Sequence, residues 1–195
     1  MSCFIIGDYL IFNNIFDEEL NGYIGILKKY NHIILGDKFN RTIDNLPQNI
    51  ISLSLGRSFN KPINHLPLNL IALEINSIYE YSIDYLPPTL ERLCIYNNIC
   101  KSFHYIPSSL KYLTIKVVEM QFLHIPHNIH CINIITNREM EREIVSYFRQ
   151  VKTLQIIYRG FFGNKYYNIP TLNSEQLTTP NIYNNKNAIV NIYLN

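Results

Sequence analysis

The sequence predicts a repeat solenoid built mainly of β-strands, and three observations carry this prediction. A Leu-Pro or Ile-Pro step recurs about every 20 residues, a period typical of solenoids. The apolar pattern L-x-x-L-x-L recurs at the same spacing, and a further column of apolar residues follows the first four copies. The proline steps begin at Leu46, Leu66, Leu86, Ile106 and Ile125.

The end of each L-x-x-L-x-L segment predicts a short strand. Its last two apolar residues are separated by one residue, and this period of two places both side chains on one face. Because each coil contributes one strand, neighbouring strands should lie parallel and about 4.8 Å apart. The paired apolar positions are Ile33/Leu35, Leu53/Leu55, Leu73/Ile75, Leu93/Ile95, Leu113/Ile115 and Ile132/Ile134.

The second half of each coil predicts an aromatic and aliphatic column on the back of the solenoid. Its members are Phe39, Phe59, Tyr79 and Ile99, followed by Ile43, Ile63, Ile83 and Phe103. Asn40 and Asn60 follow the phenylalanines, where an amide side chain can satisfy the backbone groups of a buried turn. Gly36 and Gly56 follow their strands, where we expect a positive φ.

Two nonapeptides, LGDKFNRTI and LGRSFNKPI, resemble the FNIP repeat. This relative of the leucine-rich repeat occurs in proteins of social amoebae and of giant viruses that infect amoebae. The LPxxLxxLxL core is also similar to the short leucine-rich repeats of bacterial effectors. The resemblance runs from Ile26 to Ile134 and weakens from Asn76, where the F-N-x-P-I element is lost. It implies a leucine-rich-repeat-like parallel sheet with an irregular convex side and a role in protein interaction.

Four segments are expected along the chain: a cap at 1–25, FNIP or leucine-rich-repeat-like repeats at 26–136, an inserted helix at 137–150, and degenerate repeats with a C-terminal cap at 151–195. In the first cap, residues 9–12 predict a strand and residues 17–20 a helical turn. Thr136 opens a capping box, and apolar residues then follow at helical spacing. We therefore expect the helix over about 138–150.

After this helix the repeat pattern returns. Leu154 and Ile156 restore the strand motif, and Ile169 with Pro170 is interpreted as another Leu-Pro step. Residues 189–194 predict a last strand. An uncovered edge strand pairs readily with another chain, so the hypothesis is self-association or partner docking through this C-terminal edge. The rival interpretation is that residues 157–188 fold back as a cap.

Composition narrows the class of protein. Of 195 residues, 47% are hydrophobic and 16% are charged, which favours a packed core over disorder. The net charge of +2 and the lack of a dense basic stripe argue against nucleic acid or an anionic membrane as partner. The four cysteines form no C-x-x-C pair, so we expect reduced thiols in the cytoplasm, or in the host cytoplasm if the protein is viral.

One cluster invites a chemical role: His124, His127, His130 and Cys131. These ligand types at short spacing can hold zinc. In repeat register, however, they surround a tight turn and point in different directions, so we expect no metal. No sequence signature places a base and an orienting carboxylate around a cysteine. We expect neither catalytic residues nor a cofactor, and hence no enzyme.

Residues that alternate with the inward leucines should face outward on the concave side of the sheet. Variable side chains on a regular scaffold are how solenoids build binding surfaces. The predicted partner-binding residues are Glu74, Arg92, Tyr96, Tyr112, Thr114 and Lys116. Tyr and Arg are enriched at interface hot spots, which makes Arg92, Tyr96 and Tyr112 the expected anchors. An ordinary solvated face is the alternative.

The function predicted from these features is a non-catalytic scaffold for protein-protein interaction with an unknown protein partner. An alternative is the substrate-recognition subunit of a ubiquitin ligase, with the ligase machinery supplied by a partner. Some FNIP-type relatives carry an F-box, but only about 25 residues precede the first repeat here, so that role is not carried over. A degenerate repeat with little retained function is a third possibility.

Overall fold

The computed structural model describes residues 2–98, 105–117, 129–136, 153–160 and 163–169, with side chains at 2–95, 105–115 and 129–132. These segments form one ten-stranded sheet whose strands follow one another in sequence order. A 3-10 turn, Leu20–Tyr23, leads into the short helix α1, Ile24–Leu27. The strands are β1 Cys3–Ile6, β2 Tyr9–Phe12, β3 His32–Ile34, β4 Ser52–Leu55, β5 Ala72–Tyr79, β6 Arg92–Asn98, β7 Tyr112–Val117, β8 Cys131–Thr136, β9 Thr153–Gly160 and β10 Gly163–Ile169.

Strands β2 to β9 run parallel, and their register repeats the sequence motif. Leu53 lies opposite Leu73, Leu73 opposite Leu93, and Leu93 opposite Leu113. All four side chains are at most 1% exposed. The predicted mainly-β, parallel-sheet solenoid is confirmed.

This column of inward side chains is the source of stability. Burying one Leu or Ile side chain completely contributes about 1.5–3 kcal/mol. Each such side chain is covered by the corresponding residues of the coils before and after it, because the register places them directly side by side. A coil removed from its neighbours would lose that cover, so the coils stabilise one another.

An aromatic column runs through the back of the solenoid. The rings of Phe16, Phe39, Phe59 and Tyr79 stack in sequence, with centroids 5.9, 6.2 and 6.2 Å apart and planes within 7° of parallel. The predicted column is confirmed for Phe39, Phe59 and Tyr79, and it extends back to Phe16. The buried aliphatic members that follow are Ile43, Ile63 and Ile83. Ile99 and Phe103 lie outside the described residues.

A polar ladder lies one residue beyond the aromatic column. The backbone N–H of Asn60 donates to Oδ1 of Asn40 at 2.9 Å, and the N–H of Glu80 donates to Oδ1 of Asn60 at 3.2 Å. The N–H of Asn40 donates to Oδ1 of Asp17 at 2.9 Å. Each side chain thereby satisfies a backbone donor of the next coil, as the sequence predicts for Asn40 and Asn60.

The first coil begins earlier than the sequence pattern indicated. Strand β2 is confirmed, and its Leu10 lies opposite Ile33 across a spacing of 23 residues. Asp17 holds the ladder position that asparagines hold in later coils. The predicted helical turn at 17–20 is wrong, because the helical residues run from Leu20 to Leu27 and absorb the extra length. Strand β1 pairs antiparallel with β2 and covers its edge.

Gly36 and Gly56 are required for close backbone approach and not for a positive φ, so the expected φ is wrong. Among the described glycines only Gly7 has a positive φ, of 56°. A Cβ on Gly36 would lie 2.1 Å from the carbonyl oxygen of Asn13, and one on Gly56 would lie 2.3 Å from that of Gly36. Successive backbones touch at this turn, and only a residue without a side chain fits.

The corresponding position in the next coil carries Asn76, and there the strand does not end. Strand β4 has four residues, whereas β5 has eight. Since Asn76 has a Cβ, it cannot repeat the glycine contact, and the extended conformation continues to Tyr79. This continuation turns Ser77 inward, where it is 2% exposed and its hydroxyl lacks a partner among the described residues. Loss of glycine is therefore accompanied by longer strands from β5 onward.

The end of the described sheet combines one confirmed and one wrong prediction. Leu154 in β9 lies opposite Ile132, so the repeat motif does return. Strand β10, however, turns back antiparallel and places Ile169 opposite Leu154. Ile169 thus lies within a strand, whereas the Leu-Pro steps of the earlier coils lie between strands. The predicted helix at 138–150 and strand at 189–194 lie outside the described residues.

No helix in the described part of the chain is long and apolar enough to cross a membrane.

Replacing Gly56 tests the close-approach constraint. We expect Gly56→Ala to lower the free energy of unfolding by about 1–3 kcal/mol, because the new methyl group must displace backbone. Gly25→Ala is the matched control, since a Cβ there meets no atom within 4 Å. In helix α1 that change should raise stability by about 0.5–1 kcal/mol. Urea denaturation measures both variants, and equal stability of Gly56→Ala and wild type would contradict the constraint.

The ladder also predicts a pH dependence at Asp17. The N–H of Asn40, and then the guanidinium of Arg41 at 3.0 Å, hold the pKa of this carboxyl below its usual value. A lowered pKa contributes stability that is present above about pH 4 and is lost as the pH falls through the folded-state pKa. Asp17→Asn keeps an acceptor oxygen but no charge. We expect its deficit in urea denaturation at pH 7 to shrink below pH 4, and a deficit that does not change with pH would contradict this account.

Candidate functional site

The candidate site is the face of the sheet opposite the inward leucines, which we call the outer sheet face. The strand register places its residue positions in two rows. The first row is Tyr9, His32, Ser52, Ala72, Arg92, Tyr112, Cys131 and Thr153. The second row is Ile11, Ile34, Ser54, Glu74, Cys94, Thr114, Asn133 and Gln155.

The most structured part of this face is formed by Arg92, Tyr112 and His130. Arg92 and Tyr112 lie directly opposite each other on β6 and β7, and the guanidinium carbon is 4.9 Å from the tyrosine ring centroid. The ring of His130, just before β8, lies 6.5 Å from that of Tyr112 at a tilt of 32°. A cation–π contact of this kind contributes about 0.5–1 kcal/mol at an exposed site. The three planar groups are therefore held in a defined arrangement while Tyr112 stays 37% exposed.

The outer sheet face is uneven because bulky and small side chains occupy different stretches of the first row. Tyr9 and His32 pack with ring centroids 4.8 Å apart at one side. In the first row the next two strands carry the small residues Ser52 and Ala72, and β6 carries the larger Arg92. Three strand steps of about 4.8 Å separate His32 from Arg92, which gives a depression about 14 Å across.

The rim and the second row carry the remaining described charges near this site. Lys111 forms an ion pair with Glu91, and the two residues directly precede strands β7 and β6. Both side chains are about 40% exposed, so the pair adds little to stability. Glu74 lies in the second row, opposite Cys94.

The structure brings four of the predicted binding residues onto the same face: Glu74, Arg92, Tyr112 and Thr114. The backbones of Tyr96 and Lys116 lie in β6 and β7, at the position that glycine holds in earlier coils. Their side chains are outside the described part of the chain. A binding role for all six remains a prediction.

Sequence reasoning missed two parts of this face. The sequence pattern indicates His130 only as a possible metal ligand. In the fold it directly precedes Cys131 of the first row, and its ring lies next to that of Tyr112. Tyr9 was missed because the first coil is longer than the others. A usable signal was the four-residue step from Phe12 to Phe16, which equals the step from Leu35 to Phe39.

The possible chemistry of His130 and Cys131 can be judged from their surroundings. Among the described residues no group of three or more His, Cys, Asp or Glu side chains could hold a metal ion. His124 and His127 lie outside those residues. Burial raises the pKa of the Cys131 thiol. Because the thiolate is the reactive form, this environment works against a nucleophilic role.

Comparison with protein families gives one match. Residues 39–77 match the FNIP repeat. This segment contains both Phe-Asn pairs of the aromatic column and polar ladder, together with Ser52, Ala72 and Glu74 of the outer sheet face. The predicted resemblance is confirmed here, and FNIP and leucine-rich-repeat-like solenoids generally serve as non-catalytic scaffolds for protein interaction.

Among solved structures the chain is similar to the giant-virus protein CroV588, described as a circular leucine-rich-repeat protein. The identity is 20% and the TM-score is 0.45 over 82% of this chain and 32% of that one. The chain thus spans about a third of the length of CroV588. No curated protein sequence matches the chain.

Proposed function

We propose that this chain is a non-catalytic protein-protein interaction scaffold that binds its partner on the outer sheet face. The observation that carries the proposal is the cluster in which Arg92 stacks on Tyr112 beside His130. Arg and Tyr are the residue types that most often dominate binding energy at interfaces. Beside them in the first row, β4 and β5 carry the small, uncharged side chains of Ser52 and Ala72.

Rigidity supports the same proposal. Ordering a flexible arginine on binding costs about 0.5–1.5 kcal/mol of side-chain entropy. The ring of Tyr112 already restrains Arg92 in the absence of a partner, and hydrogen-bonded strands hold the backbones of both residues. A partner therefore meets a preorganised surface. The FNIP segment at 39–77 adds a family whose repeats generally act as interaction scaffolds.

Location and assembly follow as parts of this proposal. We place the protein in the cytoplasm, where the thiols of Cys3, Cys94 and Cys131 would stay reduced. Self-association through a strand at 189–194 remains a proposal about residues outside the described part. Substrate recognition for a ubiquitin ligase is a special form of the same binding role.

Partner capture with matched variants tests the site. The bait is the full chain, as wild type and as the Arg92→Ala/Tyr112→Ala double variant. The control is Arg57→Ala/Tyr85→Ala, which removes the same residue types from exposed positions outside the two rows of the outer sheet face. Circular dichroism and urea denaturation verify that all three baits are folded.

We expect partners captured by wild type and by the control to be lost from the outer-face variant. Removing two interface anchors typically weakens binding by about 30-fold or more. Equal capture by all three folded baits would contradict the proposal. Ligase adaptor proteins among the lost partners would identify the special case of a ubiquitin-ligase receptor.

A further inference from the structure

The outer sheet face holds two opposite charges that no described residue neutralises. Neither the guanidinium of Arg92 nor the carboxylate of Glu74 makes an ion pair or a side-chain hydrogen bond within the described part of the chain. Elsewhere the pattern differs, since Arg41 pairs with Asp17 at 3.0 Å. Lys111 at the rim is likewise neutralised by Glu91.

The strand register explains why Arg92 and Glu74 do not pair with each other. Arg92 lies opposite Ala72, and Glu74 is two residues farther along the same neighbouring strand. This diagonal relation separates the two positions by about 7–8 Å, a distance that long side chains can bridge. Arg92 instead packs over the ring of Tyr112, which belongs to the strand on the side away from Glu74. The tyrosine thereby keeps the cation and the anion apart.

The separation leaves a charge pattern with a defined spacing. A partner that places opposite charges against both groups gains two charge-assisted contacts, whereas a wrongly charged partner meets repulsion. The residues between the two charges, Ala72 and Cys94, are uncharged. The complementary surface therefore needs one acidic group and one basic group, separated by about the same diagonal distance of 7–8 Å.

We propose that the partner presents an extended segment in which an acidic residue contacts Arg92 and Tyr112 and a basic residue contacts Glu74. In an extended chain, residues i and i+2 point to the same side and lie about 6.6–6.8 Å apart, which matches the spacing on the sheet. The recognised element is thus an acidic and a basic residue separated by one residue. This inference rests on the proposed function and names the partner chemistry of the same site.

Selection from a displayed library of random peptides tests the charge pattern. The full-length baits are wild type, Glu74→Arg, Arg92→Glu and the Glu74→Arg/Arg92→Glu double variant, with Arg57→Glu as a charge-reversal control outside the two rows of the outer sheet face. Wild type and Arg57→Glu should enrich peptides with opposite charges two residues apart. Glu74→Arg should enrich two acidic residues at that spacing, and Arg92→Glu two basic residues.

The double variant separates charge effects from damage to the fold. It restores one cation and one anion, so it should again enrich peptides of mixed charge. A peptide selected on wild type should bind each single variant at least about tenfold more weakly, and its affinity should fall as salt screens the contacts. Circular dichroism confirms that each bait is folded.

The outcomes distinguish this inference from the function on which it rests. If folded wild type selects only peptides whose binding Arg92→Ala/Tyr112→Ala leaves unchanged, or none, the outer-face scaffold is contradicted. If the selected peptides depend on Arg92 and Tyr112 but their charges are the same for every bait, the charge pattern is overturned and the scaffold stands.

Discussion

The in-register contact between successive coils is the constraint on which this structure depends. Among the described side chains, the inward leucines of the sheet pack against the equivalent residues of their neighbours, and the aromatic column and the polar ladder repeat that arrangement on the back. A shift of one residue would exchange the inward and outward side chains of a strand. It would therefore bury Arg92 and expose Leu93, which is strongly unfavourable. The arrangement of charges on the outer sheet face is thus fixed by the same packing that stabilises the core.

Glycine links this packing to the size of the binding face. At Gly36 and Gly56 the backbones of successive coils are too close to admit a side chain, and the strands before them are short. Where Asn76 follows, the contact cannot form and strand β5 continues to Tyr79. A longer strand places more residues on the outer face. The loss of the F-N-x-P-I element from Asn76 onward is therefore accompanied by a broader surface, which differs from simple decay of a repeat.

Much of the fold was predictable because its signals are local and periodic. The spacing of the leucines gave the strands, their parallel order and the residues of the outer face, and Phe-Asn pairs gave the column and the ladder. The first coil was not predicted because its spacing is 23 residues and not 20. The role of Gly36 was not predicted because its close approach involves the carbonyl of Asn13, which is far away in sequence. The stacking of Arg92 on Tyr112, and with it the separation from Glu74, depends on rotamers that no sequence period encodes.

Both ends of the described sheet finish in a strand of opposite direction, β1 before the first coil and β10 after β9. Each interior strand pairs with a parallel strand on both sides, so interior coils offer one another the same kind of contact. The two hairpins at the ends of the described sheet do not. Duplication or deletion of an interior unit would lengthen or shorten the described sheet and leave both hairpins intact. The number of coils, and with it the length of the sheet, can therefore change in evolution by one repeat at a time.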